Sequence, residues 1–461
     1  MRPISRPCAG SIVLLRGAPS HPEIVDGLEA AVDRHPRLRR RRVKRRGRLA
    51  ADWVEHGFDL SYHLRWERIG NDRDLLGVAT RRFFQPLAHK APPWELHVLE
   101  GDARSLLLVK VDPQLERSGT STALLSSLVD DGSDDTEENA ASDPASPMLA
   151  LVETLEALVP QAAALRQSAL SLLRAARETA LLSGELARAT LGATRLDGGA
   201  WSGELADAAL RAARSLGALL TERLAESAPG TLLGGAARPR ALALVDLPLA
   251  ALDAVRRPLG LGLEDVLLAI SSGALARLEQ NERGVLPATL RALVSLPESR
   301  VAGMLLPIEE TDPLRRAAHF HELLAALGSE ARLAAMKALA GAMTALPLAL
   351  SQGVAPRSAQ RYDVELAYRE LPLHARTLAG ARVQRVYPLT ADAGTAGVAV
   401  GAQRFERWLS LGVSFDSSIV GRPRGLVDAW QSACGEFVDA ALRALAQRAE
   451  QRMRTSVRSL S

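Results

Sequence analysis

Strand-length apolar runs alternate with helix-length amphipathic segments on both sides of a long Ala/Leu/Arg-rich middle. This arrangement restricts the fold most. Alternating strands and helices pack as layered α/β units, and a helical stretch between two such regions implies two units. In the first region, Ile24, Val25, Leu28, Ala31 and Val32 share one face of a helix predicted over 22–35. Asp72 to Phe84 predicts a second helix. Ser105 to Val111 is a short apolar run ending at Asp112-Pro113, as a buried strand would be, and Thr120 to Leu128 predicts the helix after it.

The segment Asp130 to Pro147 is acidic and Ser/Asp-rich, a surface loop or linker, and Met148 to Ser227 is helical in texture. Beyond Ala228 the alternation returns. Strands are predicted over 241–247, 290–296, 302–308, 382–387 and 398–415, and helices over 249–256, 264–277, 314–345 and 426–452. The expected organisation is an N-terminal domain over 1–140, an acidic loop and helical crossover over 141–235, and a C-terminal domain over 236–461.

Composition removes several function classes. Hydrophobic residues at 47% against 24% charged give a globular balance rather than wholesale disorder. A net charge of +4 is too small to predict a nucleic-acid partner, although residues 1–50 hold 13 Arg/Lys against 4 Asp/Glu. Nine of the twelve residues Arg37 to Arg48 are basic. They read either as a solvated helix end and strand or as a contact for an anionic membrane or lipid-droplet surface through Arg39, Arg40, Arg41 and Arg42. No aromatic residue interleaves with them and no nucleic-acid module is present, so nucleic acid is not expected.

Cys8 and Cys434 cannot build a disulfide framework or a cysteine-rich metal site. The run Ile12 to Leu15 is too short for a signal-peptide core, so the expected location is cytoplasmic, peripheral on the inner membrane face. Ala338 to Pro356 is uncharged for 19 residues, but Gly341, Thr344, Pro347, Ser351, Gln352 and Gly353 make it a helix broken near Pro347 rather than a membrane span. His319 and His321, two apart on a helix, point to different faces, so no shared metal is expected and they read as helix-surface histidines.

Several pieces in a fixed order carry a resemblance: His35-Pro36-Arg37-Leu38-Arg39, Phe58-Asp59-Leu60-Ser61-Tyr62-His63, Pro92-Pro93-Trp94-Glu95-Leu96, Glu264-Asp265-Val266-Leu267-Leu268-Ala269, and Leu378-Ala379-Gly380-Ala381-Arg382-Val383 through Tyr387-Pro388. Over about residues 20–450 the chain resembles the bacterial wax ester synthase/diacylglycerol acyltransferase family. That family is similar in fold to coenzyme A-dependent acyltransferases and to peptide-synthetase condensation domains. The resemblance implies two such α/β domains joined by a helical crossover. It also implies acyl-CoA as substrate, diacylglycerol or a long-chain alcohol as acceptor, and no bound cofactor. Pro93, Trp94, Glu95 and Asp265 are implied as structural motif residues, Trp94-Glu95 anchoring a loop against the core.

The family's signature, His-His-x-x-x-Asp-Gly, follows the first-domain strand, and its second His is the general base toward the acceptor hydroxyl. In this chain the same positions read Asp112-Pro113-Gln114-Leu115-Glu116-Arg117-Ser118. Asp112 and Pro113 stand where the histidines are expected, and Arg117 and Ser118 where the Asp and Gly are. Proline cannot accept a proton, and a carboxylate with an ordinary pKa near 4 is a poor base for an alcohol. Glu116-Arg117 reads as a solvated loop pair or as an anion site for CoA phosphates. Two functions therefore stand: an O-acyltransferase of the wax ester/triacylglycerol type with impaired or lost catalysis, or a non-catalytic acyl- or CoA-binding protein that partners an active paralogue at a lipid surface.

Overall fold

The computed structural model describes residues 8–43, 52–88, 90–116, 120–129, 240–283, 289–296, 300–327, 362–369, 377–390, 396–418 and 423–458. Contacts divide the chain into two compact units: Met1–Asp143 with Ser227–Glu322 and Arg361–Ser461, and Pro144–Glu226 with Leu323–Gln360. Of the second unit only 323–327 are described. The expected crossover at 141–235 and the uncharged run Ala338 to Pro356 lie outside the described residues.

The first sheet is built on β1 (Ala9–Arg16), β4 (Leu64–Arg68), β5 (Trp94–Glu100), β6 (Arg104–Val111), β11 (Thr377–Leu378) and β12 (Ala381–Leu389), in the order β11-β12-β1-β6-β5-β4. Only the β4–β5 pairing is parallel. Two of its strands come from beyond residue 361, so residues 1–140 do not complete their own sheet. The continuous apolar run of β6 follows from burial on both faces. Leu107, Val109 and Val111 face a core shared with Ile24, Leu28, Ala31 and Val32 of α1 (His21–Arg34) and with Leu124 and Leu125 of α5 (Thr120–Ser126). Leu106 and Leu108 face Leu75, Val78, Ala79 and Phe83 of α3 (Leu75–Phe83). Such a run is usual in parallel sheets; here antiparallel neighbours with helices on both sides produce it.

Two short elements complete this half: α2 (Leu60–His63), and α4 (Pro113–Glu116), which directly follows β6. The basic strand β2 (Arg40–Val43) pairs with β3 (Asp52–Glu55) as a separate two-stranded ribbon.

The second sheet, in the same compact unit, runs β7-β14-β13-β10-β8-β9, from β7 (Arg240–Pro248), β8 (Thr289–Leu296), β9 (Arg300–Pro307), β10 (Val364–Arg369), β13 (Val398–Phe405) and β14 (Trp408–Asp416). Its central β10 is parallel to both neighbours. Helix α6 (Leu249–Leu259) ends at Gly260, whose φ of 75° gives the left-handed cap that glycine accepts without strain. Helix α7 (Leu263–Arg283) packs against α9 (Pro423–Arg458), which also lies on β7 and α6. Helix α8 spans Pro313–Leu327. Among the described residues no single helix is long and apolar enough to cross a membrane. The pair Leu249–Leu259 and Leu263–Asn281 passes that test only together, across a 113° bend. Leu252, Val255, Val266 and Ile270 of that pair are buried in the protein.

The sheets meet where β12 crosses β13 and β14. Gly401 and Gly412, opposite each other on β13 and β14, both face the Pro388 carbonyl, and a Cβ at either position would lie 2.3 Å from that oxygen. Only glycine permits this approach. The match to sequence is close for α1, β6, β7, α6, β8, β9 and β12. The stretch 398–415 divides into the hairpin β13–β14.

Candidate functional site

The turn that leaves β6 is held from both sides. Asp112 is buried; its N–H donates to the Pro93 carbonyl at 2.9 Å, and its carbonyl accepts from the Glu116 N–H at 3.0 Å. Pro113 opens α4, where its missing N–H costs nothing. No histidine occurs in the sequence between His97 and His319, so this turn carries no imidazole. Arg117 and Ser118 lie outside the described residues.

Glu116 corrects the reading of a solvated loop pair with Arg117. It is 3% exposed, and its carboxylate accepts the Ser121 N–H at 2.9 Å, the Ser121 hydroxyl, and Arg369 Nη1 from the end of β10. Three donors on two oxygens engage the carboxylate in charge-assisted hydrogen bonds and commit it to this contact. The pair ties the end of the first sheet to the second. Sequence reasoning missed it because the partner is 253 residues away.

On the opposite face of the first sheet, Lys110 is fully buried. Its Nζ donates to the Arg82 carbonyl at 3.0 Å and to the Gln85 carbonyl, and sits 3.6 Å from Glu95 Oε2. Glu95 also contacts His97 Nε2 at 3.0 Å. Burial opposes ionisation of Glu95, but the His97 hydrogen bond and the Lys110, His97 and Arg65 charges outweigh it, so its carboxyl sits below its usual value. Burial pushes the Cys8 thiol up to about 12 against the pull of Lys110, so Cys8 is no nucleophile at neutral pH.

Trp94 begins β5, is fully buried in the core, and pins the segment before β2 by donating its indole N–H to the Leu38 carbonyl at 2.9 Å. Its ring stacks on His63 at 4.0 Å between centroids, with Phe58 beyond. His63 Nδ1 lies 2.9 Å from the Trp94 carbonyl, which makes Nδ1 the protonated nitrogen, and its buried Nε2 has no partner. Burial lowers the His63 pKa, with Arg65 adding to this, although the Trp94 carbonyl, Glu95 and Asp59 oppose it.

A histidine with a lowered folded pKa binds fewer protons folded than unfolded, so its stabilisation is complete above the ordinary value near 6.5 and is lost as pH falls through it. Urea unfolding between pH 7.5 and 5.5 is expected to show stability falling with pH, with up to about 1.4 kcal/mol per pH unit from this one group. His35, lowered by burial and by Arg37 and Arg34, adds in the same direction. The measurement is therefore the difference from His63→Phe, which keeps the stack and should flatten the slope; an unchanged slope would exclude His63 as the cause.

Asp265 lies in the first turn of α7 and accepts the Gly262 N–H at 2.8 Å, closing the helix start as a carboxylate there should. It also bonds His321 Nδ1 at 2.8 Å, so His321, exposed on its helix, is tied to α7. His319 stays exposed on α8. Among the described residues no group of three or more His, Cys, Asp or Glu side chains could hold a metal ion. Arg39 pairs with Asp33; Arg40 is exposed and Arg41 half-buried on β2; Arg42 lies on the same strand, opposite Trp53.

A further polar cluster joins the sheets. Asp246 on β7 accepts the Tyr387 hydroxyl at 3.0 Å, Arg385 Nε at 3.1 Å and the Ser410 hydroxyl at 2.9 Å. Arg385 stacks over Trp408 at 4.6 Å. Burial and the Asp246 charge push the Tyr387 hydroxyl up, so it stays protonated and donates to Asp246.

The sequence profile of the wax ester synthase/diacylglycerol acyltransferase catalytic domain matches residues 14–267, more than half of the 461. In structure the chain is similar to the wax ester synthase/diacylglycerol acyltransferase from Marinobacter aquaeolei VT8. That match has 16% identity and a TM-score of 0.59 over 95% of this chain and 96% of that one. It is also similar to the starter condensation domain of rhizomide synthetase RzmA, in a doubly substituted form complexed with C8-CoA. There the identity is 11% and the TM-score 0.52, over 96% of this chain and 91% of that one. Identities this low establish the fold, an α/β architecture of two sheets shared with these proteins. No curated protein sequence matches the chain significantly.

Proposed function

Because the chain belongs to the wax ester synthase/diacylglycerol acyltransferase family, we propose that it binds acyl-CoA and an alcohol-bearing lipid but has a transfer step weakened by the lack of a positioned imidazole. One observation carries this reading. The turn after β6, where the resemblance puts the base, offers Asp112 and Pro113, while the neighbouring buried carboxylate Glu116 is taken up by Ser121 and Arg369. Loss of a general base costs about 10²–10⁴ in rate, while binding and orientation still contribute.

The test is acyl transfer from palmitoyl-CoA to diolein and to hexadecanol on the purified protein. Slow transfer that changes less than twofold in Asp112→Ala is the expected result. A rate that collapses in that variant would make Asp112 the base and overturn the proposal. The same lack of a base supports a second reading, a non-catalytic partner of an active paralogue. It is favoured if transfer is absent while palmitoyl-CoA still binds.

A further inference from the structure

Three buried side chains beside the crossing of the two sheets have hydrogen-bonding atoms with no partner. Ser11 lies directly opposite Pro388 in the β1–β12 ladder and is 1% exposed, and its Oγ bonds to nothing. Thr390, two residues after Pro388, is 3% exposed with Oγ1 unpartnered. Gln403 is 0% exposed, and neither its amide oxygen nor its amide nitrogen has a partner. Because side chains alternate along a strand, Gln403 points the same way as Gly401, toward the Pro388 carbonyl that Gly401 faces. Each orphan therefore sits within two residues of one crossing point.

Native interiors pair nearly all such groups, since an unmet buried donor or acceptor keeps its full desolvation penalty. Several unmet atoms at one place need an occupant with oxygens of its own. The surrounding charges say which kind. Arg369, beside Gln403 in the β10–β13 register, is neutralised by Glu116. Asp246, in register with Ser410, which itself pairs with Gln403, is neutralised by Arg385. What stays unmet is neutral: two hydroxyls and one carboxamide, which both donate and accept. A carboxylate or phosphate would gain no counter-ion from these paired groups, whereas a hydroxyl or ester carbonyl matches them. Val13, Val386 and Phe405 of the apolar core adjoin the same strands and suit a hydrocarbon chain.

We propose that Gln403, Ser11 and Thr390 hold the neutral oxygen-bearing head of the acyl acceptor, an alcohol hydroxyl or ester carbonyl, and so select neutral lipid over anionic ligands. This rests on the family-based reading of the chain as an acyl-CoA and alcohol binder.

The experiment measures binding of diolein, hexadecanol and palmitoyl-CoA, each presented in neutral detergent micelles, to the full-length protein and to Gln403→Met and Thr390→Val. Both substitutions keep side-chain size and remove the unmet polar atoms, so the folded state should tolerate them. Diolein and hexadecanol affinity should drop at least tenfold in Gln403→Met and at least threefold in Thr390→Val, with palmitoyl-CoA affinity changed less than twofold. Wild-type affinity for diolein in both variants would overturn the proposal and leave the orphans to ordered water. If wild type binds palmitoyl-CoA but neither neutral lipid, this inference fails and the family-based reading keeps its acyl-CoA half. If it binds none of the three, both fail.

Discussion

Arg369→Ala is expected to lower folding stability by about 3 kcal/mol, read as a fall in the urea midpoint of the first unfolding transition. The size follows from where the charge is left. Glu116 has a side chain 1% exposed, whereas that of Arg369 is 30% exposed. Removing the guanidinium leaves the carboxylate with only the Ser121 N–H and hydroxyl, in a place water barely reaches. Breaking one partner of a buried pair costs more than the pair contributes, because the survivor remains desolvated. The double variant Glu116→Gln with Arg369→Met removes both charges, and most of the stability should return. A loss below about 1 kcal/mol in Arg369→Ala would show that the pair behaves as a surface ion pair and does not fasten the two sheets.

Glu116 also marks the boundary of what the sequence can disclose. Local pattern was enough wherever the determining contacts are local. The face Ile24-Leu28-Ala31-Val32 announces α1, the run Ser105 to Val111 announces β6, and Asp265 announces the first turn of α7, where it binds Gly262. The same pattern paired Glu116 with its neighbour Arg117, because nothing local indicates that β10 brings Arg369 alongside. The assignment of β11 and β12 to the first sheet has the same origin, since strand partners are chosen by long-range register and not by composition. His321 reached Asp265 across 56 residues for the same reason. Gln403 is the hardest case. Val398 to Phe405 reads as a strand whichever way it faces, and only the crossing at Pro388 turns an ordinary glutamine into a buried, unmet amide. At the candidate site, residue identity was legible at Asp112 and Pro113, but the commitment of Glu116 to a structural ion pair was not.

The double variant Asp112→His with Pro113→His is expected to raise acyl transfer by about 10²–10⁴-fold, the usual contribution of a positioned general base. The backbone should tolerate it. The two bonds that shape the turn, Asp112 N–H to Pro93 and Glu116 N–H to the Asp112 carbonyl, belong to the main chain and survive the change. Pro113 occupies the first position of α4, where the N–H that histidine would add has no helical partner to displace. An imidazole with a pKa near 6.5 takes a proton at neutral pH far more readily than a carboxylate near 3.9. The control, Asp112→Ala with Pro113→Ala, opens the turn equally but supplies no base, and its rate should stay at the wild-type level. If the histidine variant gains nothing while palmitoyl-CoA still binds, the missing base is not the deficit. A protein that binds substrate, accepts the imidazole and still does not transfer would then be a binding partner by construction, and the enzyme reading would fall.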